Sequence, residues 1–152
     1  MVQLQTWKCI TIKNGCGKDV FKIMEGINMS IQDEIWSRFK IDREIEVEWK
    51  SWGCRQFLGD THICYIIAGG YSSTHFHQAH DNWFLIVSGL LEIKVEDSIA
   101  VYMAGDSTLV AHEALHSFRA IMDTILLERY VSKPITDIVR ESLGGIKYEK
   151  IT

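Results

Sequence analysis

Three histidines in two segments of the sequence could together bind a metal ion. His75 and His77 are separated by one residue, and His116 lies in a later apolar segment. In a β-strand, residues i and i+2 point to the same side, so His75 and His77 can face one cavity. Imidazole is a common ligand of transition metals. Three such ligands leave positions open for water or substrate, as in catalytic metal sites. We therefore expect a divalent transition metal: iron, zinc, nickel or manganese.

The other three histidines of the chain are interpreted differently. His80 could reach the ion, but its odd offset from His77 points it the other way if the strand continues. His112 is four residues from His116 and straddles a turn, which favours a position at the rim of the site. His62 is interpreted as a turn residue without a functional role.

A reaction at a metal also needs a proton carrier and a group that orients the substrate. Tyr71 and Arg119 are close in sequence to the two histidine segments, and we expect them in the catalytic site. Asp81 could act as a general base if it does not bind the metal. Other candidates on neighbouring strands are Tyr65, Tyr102 and Glu128.

The elements that must position these residues are predicted to be short β-strands. Leu91, Ile93 and Val95 alternate with polar residues, which is typical of a strand with one wet face. Glycine-containing turns separate many such segments, as in a sandwich or a barrel. Ser30 before Ile31, Ile35 and Phe39 predicts one short helix. Residues 136–143 could form a further helical turn or a tail.

The composition sets limits on the class of protein. The 152 residues fit a single domain, and a net charge of -4 without a basic patch argues against a nucleic-acid partner. No apolar run is long enough to span a bilayer, and no signal peptide is visible. None of the four cysteines forms a C-x-x-C pair, so we interpret them as reduced thiols of a cytoplasmic protein.

Two motifs of the sequence resemble those of the cupin superfamily. The first runs from Gly70 through His75 and His77 to Gly89, and the second runs from Gly105-Asp106 to His116. Within that superfamily, the chain is most similar to small cupins of the type II mannose-6-phosphate isomerase kind. Four short segments carry that similarity: Trp52-Gly53, the stretch from Asn82 to Gly89, Asp137-Ile138-Val139-Arg140, and Gly144-Gly145.

The resemblance implies an all-β fold, the cupin double-stranded β-helix or jelly-roll barrel, with a short N-terminal helix. Residues 1–45 would be an extension, a strand plus the helix, packing on the barrel. Residues 46–132 would form the barrel, and residues 133–152 a C-terminal tail. Because cupins commonly pair through an edge strand, a homodimer is also expected.

Cupins usually supply a carboxylate as fourth metal ligand, and this sequence departs from that pattern. The longer of the two spacings that cupins show after the second histidine places Asn82 at that position, at the expected distance before Gly89. The shorter spacing after His77 would place Asp81 there. We favour Asn82, which would keep the following strand in its usual register. A neutral amide is a weaker ligand than a carboxylate, so the resemblance then favours a sphere dominated by three histidines.

Together these features predict a metal-binding cupin, a metal-dependent enzyme acting on a small polar metabolite in the manner of a sugar-phosphate isomerase. One alternative is a three-histidine iron dioxygenase. Another is a cupin that binds a metal or a small-molecule ligand without catalysis, because fold alone does not determine function.

Overall fold

The computed structural model describes residues 30–130 and 138–147, which contain one helix and thirteen strands. Their bounds are α1 (Ile31–Arg38), β1 (Val47–Lys50), β2 (Gly53–Leu58), β3 (Thr61–Ile66), β4 (Gly70–Tyr71), β5 (His75–His77), β6 (Asn82–Ser88), β7 (Leu90–Val95), β8 (Ser98–Met103), β9 (Ser107–Val110), β10 (His116–Ala120), β11 (Thr124–Tyr130), β12 (Ile138–Arg140) and β13 (Gly145–Ile146). The prediction of an all-β fold with one short helix is confirmed.

The strands form two antiparallel sheets. The first has the order β1-β2-β3-β11-β6-β9. In the second, β10 pairs on one side with β7, which carries β8 at the edge, and on the other side with β4 and β5. Strands β12 and β13 continue that sheet beyond β5 and β4. Strands distant in sequence are therefore neighbours, and β10 brings His116 directly opposite His75.

The interior between the sheets is apolar in one part and polar in the other. Alternate residues of each strand face inward, as the period of two requires. On β11 these are Leu126, which is fully buried, and then Glu128, which is 7% exposed. The apolar part contains Trp52, Cys64, Ile66, Phe84, Ile86, Leu91, Ile93, Val110, Phe118, Ala120 and Leu126. The polar part holds the histidines.

Helix α1 packs on the outside of the first sheet. It begins after Ser30, whose hydroxyl accepts from the backbone N–H of Asp33, while the Asp33 carboxylate accepts from the backbone N–H of Ser30. This capping box satisfies N–H groups that have no partner within the helix. Ile35 and Phe39 then pack in a second apolar cluster with Tyr65. The helix predicted from Ser30 is thus confirmed.

The segment predicted as a C-terminal tail contributes strands to the second sheet in its described part. Ile138 and Arg140 pair with His77 and His75, so β12 lies directly beside the strand that carries two of the histidines. Gly145 pairs with Tyr71 on β4. The predicted boundary at residue 132 therefore does not coincide with the edge of the sheet.

The predicted N-terminal strand, within residues 1–29, lies outside the described residues. No helix among the described residues has the length and apolar character needed to cross a bilayer.

Candidate metal centre

Three imidazoles converge at the polar end of the interior. His75 and His77 lie on β5 and His116 begins β10. Each histidine offers one ring nitrogen, and these three nitrogens all lie within 4.8 Å of one another. The ring centroids are 4.5 Å apart for His75 and His116, and 5.5 Å apart for His77 and His116. Strand pairing thus assembles the cluster predicted from the sequence.

Hydrogen bonds fix the tautomers of two of these rings. Nδ1 of His75 lies 2.8 Å from the carbonyl oxygen of Ser73, and Nδ1 of His116 lies 2.9 Å from that of Ala114. A carbonyl oxygen only accepts, so each Nδ1 carries the proton and each Nε2 keeps its lone pair. Bonds of this kind orient metal-ligating histidines in many proteins.

The burial of the cluster keeps the imidazoles neutral. His75, His77 and His116 are 8%, 1% and 3% exposed. Burial, reinforced by the neighbouring imidazoles, lowers the pKa of His75 and of His77 to about 4, and burial also lowers the pKa of His116. Neutral imidazole is the form that binds a metal ion.

These residues fit a bound metal ion. Nε2 of His116 is buried and makes no hydrogen bond with any residue in the described part of the chain. Burying such an acceptor without a partner is unfavourable. A cation shared by the three imidazoles would satisfy it, and nitrogen donors of this type suit iron, zinc and nickel.

Asn82 lies beside this cluster at the start of β6. Its Nδ2 is 3.0 Å from Nε2 of His77 and 3.2 Å from Oε1 of Glu128. The amide N–H can only donate, so the contact with His77 uses the Nε2 lone pair, and a metal ion bound at Nε2 would replace that contact. Oδ1 of Asn82 is buried and forms no hydrogen bond with any described residue. Coordination by Asn82 would therefore use Oδ1 and stays a prediction.

Glu128 on β11 supplies a buried carboxylate next to the histidines. Burial would raise the pKa of Glu128, but the neighbouring His62 side chain and the charge of Arg55 lower it below its usual value. Oε2 of Glu128 lies 3.6 Å from Nδ1 of His62. Arg55 approaches the same nitrogen at 3.4 Å. Glu128 is therefore ionised at neutral pH.

Two aromatic side chains close the polar end of the interior. The ring of Tyr130 lies 4.5 Å from that of His80 and 5.0 Å from that of His62. Burial, and then the charge of Glu128, raise the pKa of Tyr130, which therefore stays a neutral phenol. His80 is 2% exposed, and its ring centroid lies 4.2 Å from that of His77.

The expectation that His80 points away from the site assumed that β5 continues beyond His77. The strand ends at His77, and the following bend turns the His80 ring back toward the cluster. The sequence indicates a turn position without a functional role for His62, but this residue is buried on β3 and its ring lies beside Glu128.

The three residues expected to be catalytic do not lie with the histidines. Tyr71 and Arg119 are directly opposed on β4 and β10, and both line a separate cavity with Glu92, to which Arg119 is paired at 3.4 Å. They alternate with inward-facing residues and so occupy the other face of the sheet. Asp81 is at the surface, 2.8 Å from Nδ1 of His112, which is exposed as expected for a rim residue.

A cavity of about 350 Å³ reaches the edge of the metal centre at His75. Its walls come from both sheets and from the C-terminal segment. The polar and charged residues that line it are Lys50, Ser51, Arg55, Ser72, Ser73, His75, Glu128, Tyr130 and Arg140. This volume suits a small metabolite.

Several solved structures share this fold. KdgF from Halomonas sp. aligns with a TM-score of 0.57 over 62% of this chain and 94% of its own, at 18% identity. An RmlC-like cupin from Shewanella frigidimarina aligns with a TM-score of 0.53 over 61% of this chain and 88% of its own, at 24% identity. No family model and no curated protein matches the sequence.

An oxalate decarboxylase from Lactobacillus farciminis, in a formate complex, is a much longer relative in structure. It aligns with a TM-score of 0.56 over 64% of this chain but only 34% of its own, at 19% identity. The chain therefore has the jelly-roll fold of the cupins. Within that fold, three imidazoles converge in an arrangement that could hold a metal ion.

The residues that sequence reasoning ranked too low are those on strands remote from the two motifs. Sequence reasoning gives Glu128 only as one of several candidates and does not place Arg55 or Arg140 at the site. The alternation of Leu126, Glu128 and Tyr130 on an otherwise apolar strand was the available signal. A charged residue at an inward position is rare unless it has partners.

Proposed function

We propose that this chain is a metal-dependent cupin enzyme that acts on a small polar metabolite. The observation that carries the proposal is the convergence of His75, His77 and His116, two of which have their Nδ1 protons bound by backbone carbonyls. Such hydrogen bonds are typical of histidines that bind a metal ion, rather than of histidines that only fill space in the core.

Different residues of the chain would bind the metal ion and transfer the proton. His75, His77 and His116 would hold the ion, which would supply Lewis-acid polarisation of a substrate carbonyl or hydroxyl oxygen. Glu128 lines the cavity as a carboxylate and can accept a proton from the substrate. Tyr130 lines the same wall as a neutral phenol and can donate a hydrogen bond. Removal and return of a proton by Glu128 is the chemistry of an isomerase.

A second candidate is a three-histidine iron dioxygenase. The nitrogen cluster contains no carboxylate, and the position expected for one holds Asn82. A set of three histidine ligands favours the dioxygenase over an enzyme whose metal has a carboxylate as its fourth ligand. Oxygen uptake by the iron-loaded protein with thiols or diketones would separate it from the isomerase. A cupin that binds its ligand without turnover would show neither activity.

Metal titration tests the proposal directly. Purified protein stripped with a chelator is expected to bind one equivalent of Fe²⁺, Zn²⁺, Ni²⁺ or Mn²⁺ by calorimetry. His116→Ala is expected to weaken that binding by about 100-fold or more, because it removes a ligand with an oriented lone pair.

His112→Ala is the matched control, since His112 is an exposed histidine in the loop that precedes β10 and lies outside the cluster. Its affinity should equal that of the original chain. The proposal would be contradicted if the original chain bound no metal, or if both variants lost the same amount of metal affinity.

A further inference from the structure

The strand β12 places an arginine at the wall of the cavity that His75 lines. Arg140 is the direct cross-strand neighbour of His75, and side chains at such paired positions project from the same face of the sheet. Both residues line the 350 Å³ cavity. Arg140 is exposed, so it lies on the solvent side of the cavity wall, whereas the histidine cluster is buried.

Among the described cations that line the cavity, Arg140 is the one without an ion pair to another described residue. Lys50 and Arg55, the other two cations of the wall, both pair with Glu48. Glu128 is bound by Asn82 and faces His62. No ion pair joins Arg140 to any other residue between 30 and 130 or between 138 and 147.

We propose that Arg140 binds the acidic group of the substrate and so selects an anionic metabolite. This proposal rests on the proposed function, because it names the substrate class of that same site. A guanidinium offers parallel N–H donors that match two oxygens of one carboxylate or phosphate. The other end of the molecule would present its reacting oxygen to the centre formed by the histidines.

The cavity is consistent with such a ligand in both size and charge. Three cationic side chains and two carboxylates, Glu48 and Glu128, lie at or beside its wall, and a divalent ion would add two positive charges. A site with an excess of positive charge raises the local concentration of anions. The substrate class is therefore a small hydroxy or oxo compound that carries a carboxylate or a phosphate.

The test compares anions with a neutral isostere. Acetate, methylphosphonate and acetamide are titrated by NMR into the full chain, both chelator-treated and loaded with metal. The original protein is expected to bind acetate or methylphosphonate more tightly than acetamide, and Arg140→Gln is expected to weaken anion binding about tenfold or more. Preference for one anion identifies the carboxylate or the phosphate as the acidic group.

Two further variants make the result specific. Arg140→Lys keeps the charge but not the paired donors, and should retain part of the anion affinity. Arg129→Gln removes an exposed arginine that pairs with Asp60 outside the cavity, and should change nothing.

Metal titration of the same samples keeps the two proposals apart. An original chain that fails to bind metal contradicts the proposed function, whereas the chelator-treated anion titration still tests Arg140. Equal anion affinity in the original protein and Arg140→Gln overturns the role of Arg140. So does a loss of metal affinity in Arg140→Gln as large as its loss of anion affinity.

Discussion

At the scale of single residues, the charge of the site comes from a different strand than the cupin motif suggests. The motif expects a carboxylate at position 82, but Asn82 stands there, and the buried carboxylate is Glu128 on β11. The Asn82 amide lies between Glu128 and His77. A carboxylate at position 82 would instead face Glu128 at hydrogen-bond distance, and two buried anions repel each other unless a cation lies between them.

An Asn82→Asp substitution tests this arrangement. Without metal, the variant is expected to lose roughly 2–4 kcal/mol of unfolding free energy, because it buries an uncompensated charge beside Glu128. Adding a divalent metal should stabilise the variant more than it stabilises the original chain. Denaturant unfolding with and without metal measures both effects.

The double variant Asn82→Asp with Glu128→Gln supplies the control, because it restores a single carboxylate to the pair. It is expected to recover most of the lost stability. If Asn82→Asp alone is as stable as the original chain without metal, the two side chains do not share the buried environment described here.

At the scale of elements, the turns set how the strands meet. Gly89 joins β6 to β7 with a φ of +92°, and a Cβ at that position would lie 2.3 Å from the carbonyl oxygen of Asp123. Gly105 has nearly the same φ, +93°, but open space around it. Backbone conformation and close packing therefore both require glycine at Gly89, whereas only conformation favours it at Gly105.

The contrast between Gly89 and Gly105 predicts that their alanine variants lose different amounts of unfolding free energy. Gly105→Ala should cost about 1–2 kcal/mol of unfolding free energy, the strain of a positive φ. Gly89→Ala should cost about 1–3 kcal/mol more, since the β10–β11 turn must also move. Thermal or denaturant unfolding compares them, and equal losses would contradict the close approach to Asp123.

At the scale of the whole molecule, the described residues leave an exposed apolar strand at one edge of the second sheet. Ile99, Val101 and Met103 on β8 are 60%, 52% and 60% exposed. Among the described strands, β8 pairs only with β7, so its other edge is open. Uncovered apolar edges of this kind are sites of association.

We expect a homodimer formed through this edge. Val101→Lys should shift the mass measured by light scattering from two chains to one, because it places a charge in the apolar contact. Leu58→Lys is the matched control, since Leu58 is 48% exposed on β2 in the other sheet. A monomeric original chain, or a Val101→Lys variant that stays dimeric, would contradict the prediction.

The sequence by itself determined the local features of this protein. The i, i+2 spacing of His75 and His77 puts both rings on one face of a strand, wherever that strand lies. Ser30 and Asp33 set the start of the helix through contacts within four residues. Alternation on β7 predicted its buried and wet sides. These properties depend on backbone geometry over a few residues, so they can be inferred without the fold.

Only the tertiary structure decided which distant residues share the site. Tyr71 and Arg119 are near the motifs in sequence but lie on the other face of the sheet, because strand alternation outweighs proximity. Glu128 and Arg140 are remote in sequence and enter the site because β11 pairs with β6 and β12 pairs with β5. Strand register over long sequence separations fixes these contacts, and no local pattern encodes that register.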